Sequence, residues 1–158
     1  QAGGERGVLV AALAPAGKPF VQRDAHRYAA LDTLVLLCGR FEGIDERALR
    51  AVDERISVGD FILTGGEIPA MAVADATLRL LPGVLKEGSA EEESFETGLL
   101  EYPQYTQPAE LFGQSVPEIL RSGDHEKVEA WRREEAYLTT LRFRPDLLEK
   151  IDPDAKKR

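Results

Sequence analysis

The segment FILTGGEIPA, residues 61–70, runs from three apolar residues into two glycines, an acidic residue and a proline. The apolar pattern over residues 56–63 predicts a strand, interrupted at Gly59. Pro69 suits the first turn of a helix, and the pattern over residues 70–81 predicts that helix. The sequence therefore predicts a buried strand that leads into a stretch of backbone with almost no side chains.

Two similar arrangements precede this one: VAALAPAG at residues 10–17 and VLLCGRFEG at residues 35–43. We expect strands over residues 8–13 and 34–38, the first closed by a turn at 14–17. Helical patterns lie between the strands, weakly over residues 24–31 and as a short helix over 45–52. This alternation predicts an α/β domain with a mostly parallel sheet and helices on both faces.

The three glycine-rich exits should lie together, because parallel sheets bind ligands beyond the carboxyl ends of their strands. Glycine allows a ligand to approach the main chain closely, which favours a flat heterocycle held by backbone groups. For any one of these exits taken alone, a tight turn is the simpler explanation of the glycine, and the three exits together favour a binding pocket. None of the exits is a dinucleotide-binding or nucleoside-triphosphate loop motif.

The second half of the chain has a different character. Residues 86–97, KEGSAEEESFET, are mostly acidic residues and residues with small side chains, which predicts a flexible linker. A loop rich in Pro, Gln and Tyr follows it. Asp124 is expected to cap a helix that ends near Thr140, and Pro145 to open a last short helix. The predicted organisation is an α/β domain over residues 1–85, a linker and loop over 86–108, and a small all-helical domain over 109–158.

Composition limits the classes of function. The chain has 158 residues, 43% hydrophobic, and a net charge of −8, which argues against non-specific nucleic-acid binding through a general positive field. Residues 121–158 are nevertheless balanced, with 10 Lys or Arg and 9 Asp or Glu. One cysteine and two histidines argue against a disulfide and a structural zinc site, and favour a reducing cytoplasm. No apolar run approaches the length of a membrane span.

Several longer motifs resemble one family. LCGRFEGIDER (37–47), ISVGDFILTGGEIPAM (56–71), LPGVL (81–85) and ESFETGLLEYPQYTQP (93–108) are similar to segments of the bacterial tRNA (guanine-N1)-methyltransferases, of the knotted SPOUT class. The resemblance runs from about residue 8 to 148. It implies a trefoil knot that holds S-adenosylmethionine, a homodimer with active sites at the subunit interface, and a helical domain that binds the anticodon arm of tRNA. The implied product carries a methyl group on N1 of the guanosine 3′ of the anticodon.

The resemblance also implies which residues form the site. Glu42 would lie near the methionine end of the cofactor. The other residues implied to line the cofactor site come from the three exits: Leu13, Pro15, Gly39, Val58, Gly59, Asp60, Phe61, Ile62, Leu63, Gly65 and Gly66. Phe61, Ile62 and Leu63 are also expected to pack as a core strand.

Methylation at N1 of guanine needs a base for the N1 proton and a cation for the negative charge that grows on O6. The family supplies an Arg and an Asp, and the matching positions here are Arg79 and Glu93, with the neighbouring Glu91 and Glu92 as alternatives for the base. Glutamate is a departure from the family pattern and has one methylene more. Because a free glutamate has a pKa near 4.3, desolvation or a bound cation must make it a better base. The family is associated with Mg²⁺, which the acidic linker could attract, but no metal ligand can be assigned.

Further departures are Ala12, Ala14, Phe41 and Gln107, where the family often has Tyr, Ser, Tyr and Arg. The family also has a segment before the start of this chain, so we expect an N-terminal part to be missing and the fragment to be inactive alone. Two alternatives stay open: a related SPOUT enzyme that methylates another RNA position such as a ribose hydroxyl, and a non-catalytic RNA-binding domain. The basic residues of the tail are compatible with an exposed helix face, and Trp131 with packing in the helical core.

Overall fold

The computed structural model describes residues 7–86, 88–90 and 92–151. The chain divides into two compact units, unit 1 up to residue 87 and unit 2 from residue 88. No helix in the described ranges is long and apolar enough to cross a membrane.

Unit 1 is an α/β unit with a three-stranded parallel sheet, in the order β2-β1-β3. This confirms the predicted α/β class and the parallel sheet. β1 is the central strand, paired with β2 on one edge and with β3 on the other, and its apolar run suits a strand buried on both faces. The elements in chain order are β1 Val8–Pro19, α1 Gln22–Ala29, β2 Thr33–Cys38, α2 Glu46–Leu49, β3 Glu54–Ser57 and α3 Glu67–Leu78.

Strand β1 is longer than predicted, because residues 14–17 do not end it. Leu13 and Lys18 both pair with Ile56, so the four residues between them bulge out of the sheet and the chain returns to the same partner strand. Gly17 makes the return possible: a Cβ there would lie 2.6 Å from Cα of Ile56. The predicted closing turn is therefore wrong, and the bulge belongs to the strand.

The prediction of a strand over residues 56–63 is also wrong beyond its first residues. Strand β3 ends at Ser57, whose hydroxyl accepts a hydrogen bond from N–H of Gly59 (3.3 Å) and donates one to its carbonyl (3.1 Å). Gly59 has φ +153°, which breaks the ladder. The apolar residues that follow are exposed, Phe61 by 56% and Ile62 by 79%, so they are not a core strand.

Helix α3 begins at Glu67 and ends at Leu78, three residues earlier at each end than predicted. Pro69 is the third residue of the first turn, where a missing N–H costs nothing because it has no intrahelical partner. Arg79 is the C-cap and its N–H donates to the carbonyl of Asp75 at 3.2 Å.

The core of unit 1 lies between the sheet and the two longer helices. Ala11, Leu13, Ile56, Tyr28 and Val73 are buried together. α1 and α3 pack against each other and bring the last two of these residues onto the sheet. This packing fixes β1 and β3, whose ends carry the site described below.

A polar network stabilises the edge of this core. The Arg27 guanidinium donates twice to Glu54, at 2.7 and 2.9 Å, and the Tyr28 hydroxyl donates to the same carboxylate. Burial is the main cause that raises the pKa of Tyr28, and the bond to Glu54 raises it further. Asp24, nearly fully buried, pairs with Lys18. α1 is thereby tied to both β1 and β3.

Unit 2 contains a hairpin as well as helices. β4 Glu110–Leu111 and β5 Gln114–Ser115 pair antiparallel. The two residues between them, Phe112 and Gly113, have φ +51° and +74°, as a two-residue hairpin turn of the primed type requires. The prediction of an all-helical C-terminal domain is therefore not confirmed. The sequence did not reveal the hairpin because Phe is an unusual residue at such a turn.

The helices of unit 2 confirm the predicted caps. A 3₁₀ helix at Glu118–Arg121 is followed by α4 His125–Phe143 and α5 Pro145–Ile151. The side chain of Asp124 accepts a hydrogen bond from N–H of Lys127 at 3.2 Å and so caps α4. The predicted helix is thus correct in type and start, and is three residues longer at its end.

Candidate functional site

A cavity of about 280 Å³ lies in unit 1 where three chain segments meet. The bulge of β1 provides one wall, the segment after β2 the second, and the segment between β3 and α3 the third. The residues that line it are Leu13, Ala14, Pro15, Gly39, Arg40, Phe41, Glu42, Gly43, Ile44, Leu49, Ile56, Ser57, Val58, Gly59, Phe61, Ile62, Leu63, Thr64, Gly65, Gly66 and Pro69.

The cavity brings together the residues that sequence reasoning placed at a cofactor site, with one exception. Asp60 is not among the lining residues, although its neighbours Gly59 and Phe61 are. The convergence follows from topology, because the ends of parallel neighbouring strands lie at one edge of the sheet.

Close contacts at Gly66 fold the third segment against the second, and Gly39 has a tight contact within the second segment. Gly66 donates its N–H to the carbonyl of Gly39 at 2.8 Å. A Cβ on Gly66 would lie 2.8 Å from Cα of Cys38, and a Cβ on Gly39 would lie 2.6 Å from Cγ1 of Ile44. Gly66 is therefore needed by the packing of the protein's own backbone, and Gly39 by the packing of the Ile44 side chain, and not only by a ligand.

Gly65 differs from its neighbour. A Cβ there would meet the end of the Glu67 side chain and, at 3.2 Å, Cγ of Arg40. These are atoms of flexible side chains, so they can move away. The Arg40 backbone also bridges to both Gly43 and Gly65, which joins the rims of the two segments.

Charge is sparse in the cavity. Of the described residues that line it, only Arg40 and Glu42 are charged. Nε of Arg40 lies 2.8 Å from Oε1 of Glu67 at the rim, and both side chains are largely exposed. Burial, with a smaller effect of Glu67, raises the pKa of the adjacent Cys38 thiol. The cavity therefore offers mainly apolar surface and backbone polar groups to a ligand.

Phe41 has an unusual conformation at the cavity. Its φ is +55°, and its side chain is 96% exposed. A non-glycine residue in the left-handed region costs free energy and is commonly found at functional sites. An exposed aromatic ring held in this way is available for contact with a ligand or another chain.

Sequence reasoning missed several residues of the cavity. Arg40 and Gly43 lie within the LCGRFEG motif, directly beside the predicted Gly39 and Glu42, so sequence position was an available signal. Ser57 was not detectable, because its contribution depends on where β3 ends.

The two residues predicted to be catalytic are outside this cavity. Arg79 is half-buried at the C-terminal end of α3 in unit 1. Glu93 is half-buried in unit 2, where its N–H donates to the carbonyl of Ala90 at 3.2 Å and its carbonyl accepts from Glu96 at the same distance. Within the described ranges, no cluster of three or more His, Cys, Asp or Glu side chains could hold a metal ion.

Unit 2 has a cavity of its own, of about 440 Å³. Its walls combine aromatic, amide and guanidinium groups with an apolar floor. The lining residues are Tyr102, Pro103, Gln104, Tyr105, Thr106, Gln107, Ala109, Val116, Leu120, Arg121, Val128 and Arg132.

Comparison with known proteins gives one family. The family model described as tRNA (guanine-1)-methyltransferase TrmD matches residues 4–150. A protein of Desulforudis audaxviator named tRNA (guanine-N(1)-)-methyltransferase is 54% identical over 156 residues, which is 98% of this chain and 63% of the relative. Proteins of the same name from Mycoplasma mobile and Metamycoplasma arthritidis are 49% and 56% identical, over 87% of this chain and 71% and 61% of their own lengths.

This chain thus spans roughly two thirds of the length of these relatives. The family model covers nearly all of it, including the three segments that build the cavity in unit 1. The chain therefore belongs to the tRNA (guanine-1)-methyltransferase TrmD family.

Proposed function

We propose that the protein transfers a methyl group from S-adenosylmethionine to N1 of the guanosine that lies 3′ of the anticodon in tRNA. The observation that carries this proposal is the cavity at three converging strand exits, in a chain about half identical to proteins named tRNA (guanine-N(1)-)-methyltransferase. Its volume is close to the lower end of the range of about 300–1,000 Å³ for small-molecule sites.

The cavity residues fit the methyl donor. An adenine ring is flat and has hydrogen-bonding edges, which suits apolar walls and backbone N–H and C=O groups. Phe61 and Ile62 expose apolar surface at the cavity, which a ligand would cover. When bound, S-adenosylmethionine would supply an activated methyl group on its sulfonium. Because only Arg40 and Glu42 carry charge among the described lining residues, the donor's amino acid end would be held near them.

The acceptor chemistry is assigned to Arg79 and Glu93. Glu93 would take the proton from N1 of guanine as N1 bonds to the methyl carbon and the bond from that carbon to the sulfonium breaks. Arg79 would stabilise the negative charge that develops on O6. The glutamate carboxylate has the same acid–base chemistry as the family's aspartate. Its extra methylene changes how far the carboxylate extends but does not change the type of reaction. Because the described residues contain no cluster that could hold a metal ion, Mg²⁺ is given no role in this step.

The kinetic test of this assignment uses the full-length gene product. Arg79→Ala and Glu93→Gln should each lower the single-turnover methylation rate by at least about a hundredfold. Cofactor affinity should stay within about twofold of the wild type, because neither residue lines the cavity. Glu93→Asp restores the family residue and should stay active. Full activity of both Arg79→Ala and Glu93→Gln would refute the assignment.

A binding test addresses the donor site separately. Ile62→Ala removes a side chain that is 79% exposed, so it should leave stability unchanged. It should weaken S-adenosylmethionine binding by about tenfold, because about 1.5 kcal/mol of apolar burial is lost. Val8→Ala is a control, since Val8 is 66% exposed at the start of β1 and does not line the cavity. Equal affinities of the two variants by calorimetry would contradict the placement of the donor.

The remaining parts of the proposal concern architecture and partners. The bulge of β1 and the close contact of Gly66 with Gly39 are compatible with the trefoil knot of the family. α3 exposes Ile68, Met71 and Leu78, an apolar surface suited to a homodimer interface. We assign the cofactor domain to residues 1–85, the linker and loop to 86–108, and the tRNA-binding domain to 109–158. The proposed location is the cytoplasm.

Contact with the anticodon arm would use the basic residues of unit 2. Two of these cations are paired within the unit: Lys127 with Asp124 at 2.7 Å and Arg144 with Asp146 at 2.8 Å. These pairs are exposed, so exchange of a carboxylate for a phosphate oxygen would cost little. Binding should weaken steeply as salt concentration rises.

A further inference from the structure

Glu92, the residue before the proposed base, has partners within unit 2. Its carboxylate accepts a hydrogen bond from the Tyr102 hydroxyl at 3.1 Å. The same oxygen, Oε2, lies 3.8 Å from Nη1 of Arg132 on α4. One carboxylate thus joins the acidic segment to the loop at residues 102–108 and to the long helix.

Arg132 and Tyr102 also contact each other. The guanidinium carbon of Arg132 lies 4.8 Å from the centroid of the Tyr102 ring, and Nη1 pairs with Glu129 one turn away on α4 at 3.0 Å. Nε of Arg132 is buried, and within the described residues it has no hydrogen-bond partner. The guanidinium therefore depends on the ring and the two carboxylates to hold its position.

Burial, together with the bond to Glu92, raises the pKa of Tyr102, although Gln104 and Arg132 oppose the shift. The hydroxyl therefore keeps its proton at neutral pH and remains a donor to Glu92.

The residues after Glu93 are anchored as well. Oγ of Ser94 accepts the N–H of Glu101 at 2.9 Å, and N–H of Phe95 donates to the carbonyl of Leu99 at 2.7 Å. Phe95 has φ +77°, and Arg144 lies over its ring at 5.9 Å. The two neighbours of Glu93, Glu92 and Ser94, are therefore each held by a hydrogen bond to their own side chain.

We propose that Glu92, Tyr102 and Arg132 form a positioning cluster, the acid clamp, that holds the backbone at Glu93 so that its carboxylate is presented to the guanine. Glu92 is then an anchor and not a base. The proposal rests on the proposed function for its kinetic consequence, and on the contacts above for its structural part. It also gives the neighbouring acids Glu92 and Glu93 different roles.

The structural part is tested in the full-length protein without reference to activity. Tyr102→Phe removes only the hydroxyl and keeps the ring beside Arg132. It should accelerate amide hydrogen exchange at residues 92–101 by about tenfold or more. Tyr137→Phe is the control, because Tyr137 lies on the same helix as Arg132 and is half exposed. Unchanged exchange in Tyr102→Phe would overturn the clamp.

The kinetic part is tested by a double-mutant cycle. Tyr102→Phe should lower the single-turnover methylation rate by about tenfold with unchanged S-adenosylmethionine affinity, because a small displacement of a reacting group is costly. In a Glu93→Gln background the same substitution should cost nothing further, since the clamp acts only through Glu93. If Tyr102 contributed only to general stability, Tyr102→Phe would lower the methylation rate equally in both backgrounds.

The outcomes separate the two proposals. A wild-type protein that transfers no methyl group to tRNA would refute the proposed function. A wild-type protein that is active, loses activity in Glu93→Gln and keeps full rate in Tyr102→Phe would overturn the clamp alone. Loss of activity in Glu92→Gln with full activity in Glu93→Gln would also overturn it, because Glu92 would then be the base.

Discussion

Gly65 and Gly66 are adjacent and identical in the sequence, yet the structure predicts different losses of stability when each is changed to alanine. At Gly66 the new Cβ would lie 2.8 Å from Cα of Cys38 and 3.1 Å from N of Gly39. An ordinary carbon–carbon contact is about 3.5–4.0 Å, so the two backbone segments must separate by about 0.7 Å or more. At Gly65 the nearest atoms belong to the movable side chains of Glu67 and Arg40.

The magnitudes follow from these contacts. Overpacking against backbone costs about 1–3 kcal/mol, whereas Ala in place of Gly gains about 0.4–1 kcal/mol through the unfolded state. Gly66 has φ −78° and ψ −6°, which Ala adopts without strain, so that gain applies. Gly66→Ala should then reduce the free energy of unfolding by about 1–2 kcal/mol. Gly65→Ala loses at most the exposed Arg40–Glu67 pair, worth about 0–1 kcal/mol, and should be close to neutral.

Thermal unfolding followed by circular dichroism measures the difference. For a unit of this size, Gly66→Ala should lower the melting temperature by about 5–15 °C, and Gly65→Ala by less than about 4 °C. S-adenosylmethionine binding should fall with Gly66→Ala, because the walls of the cavity move apart. Equal stability of the two variants, or a larger loss for Gly65→Ala, would refute the reasoning that Gly66 is required by the contact with Cys38.

Two further predictions concern buried polar groups. Thr140 is fully buried, and its Oγ1 accepts a hydrogen bond from N–H of Leu100 at 2.9 Å. Thr140→Val should therefore lower the free energy of unfolding, measured by urea titration, by about 1–3 kcal/mol. A loss below about 0.5 kcal/mol would contradict this. Burial alone would raise the pKa of Asp24, but hydrogen bonds from Lys18 and the N–H of Val21, with nearby Arg27, lower it overall. The stabilisation by this carboxylate is present above its unfolded pKa of about 3.9 and is lost as pH falls through the folded value. Asp24→Asn should therefore be less stable than wild type at pH 7, and should lose less stability than wild type between pH 5 and pH 2. If the free energies of unfolding of the two proteins fell in parallel over this range, the ionised Asp24 carboxylate would not stabilise the fold.

The parallel α/β unit and the convergence of its strand exits were predictable from the sequence, because both depend on local patterns and a general rule of sheet topology. β2 at Thr33–Cys38 agrees with the apolar run that predicted it. The cap at Asp124 and the start of α5 at Pro145 were equally accessible, since caps depend on single residues and their immediate neighbours.

The wrong predictions for residues 14–17 and 61–63 have a common physical origin, because long-range contacts decide the structure of both segments. Residues 61–63 have the composition of a buried strand, but the turn at Ser57–Gly59 removes them from the sheet and exposes them at the cavity. Nothing local distinguishes that outcome from a continued strand. Residues 14–17 look like a strand end, and only the second pairing of Lys18 with Ile56 makes them a bulge. The roles of Gly66 and Gly65 differ only because Cys38 lies against one of them.

The most direct test of the proposed function is the identity and position of the methylated nucleoside. The full-length gene product would be incubated with S-adenosylmethionine and a tRNA transcript with guanosine 3′ of the anticodon, and the digested RNA analysed by mass spectrometry. The account predicts 1-methylguanosine at that position, and none when the same transcript carries adenosine there. A 2′-O-methylated nucleoside, a methyl group at another site, or no methylation with S-adenosylmethionine present would contradict it.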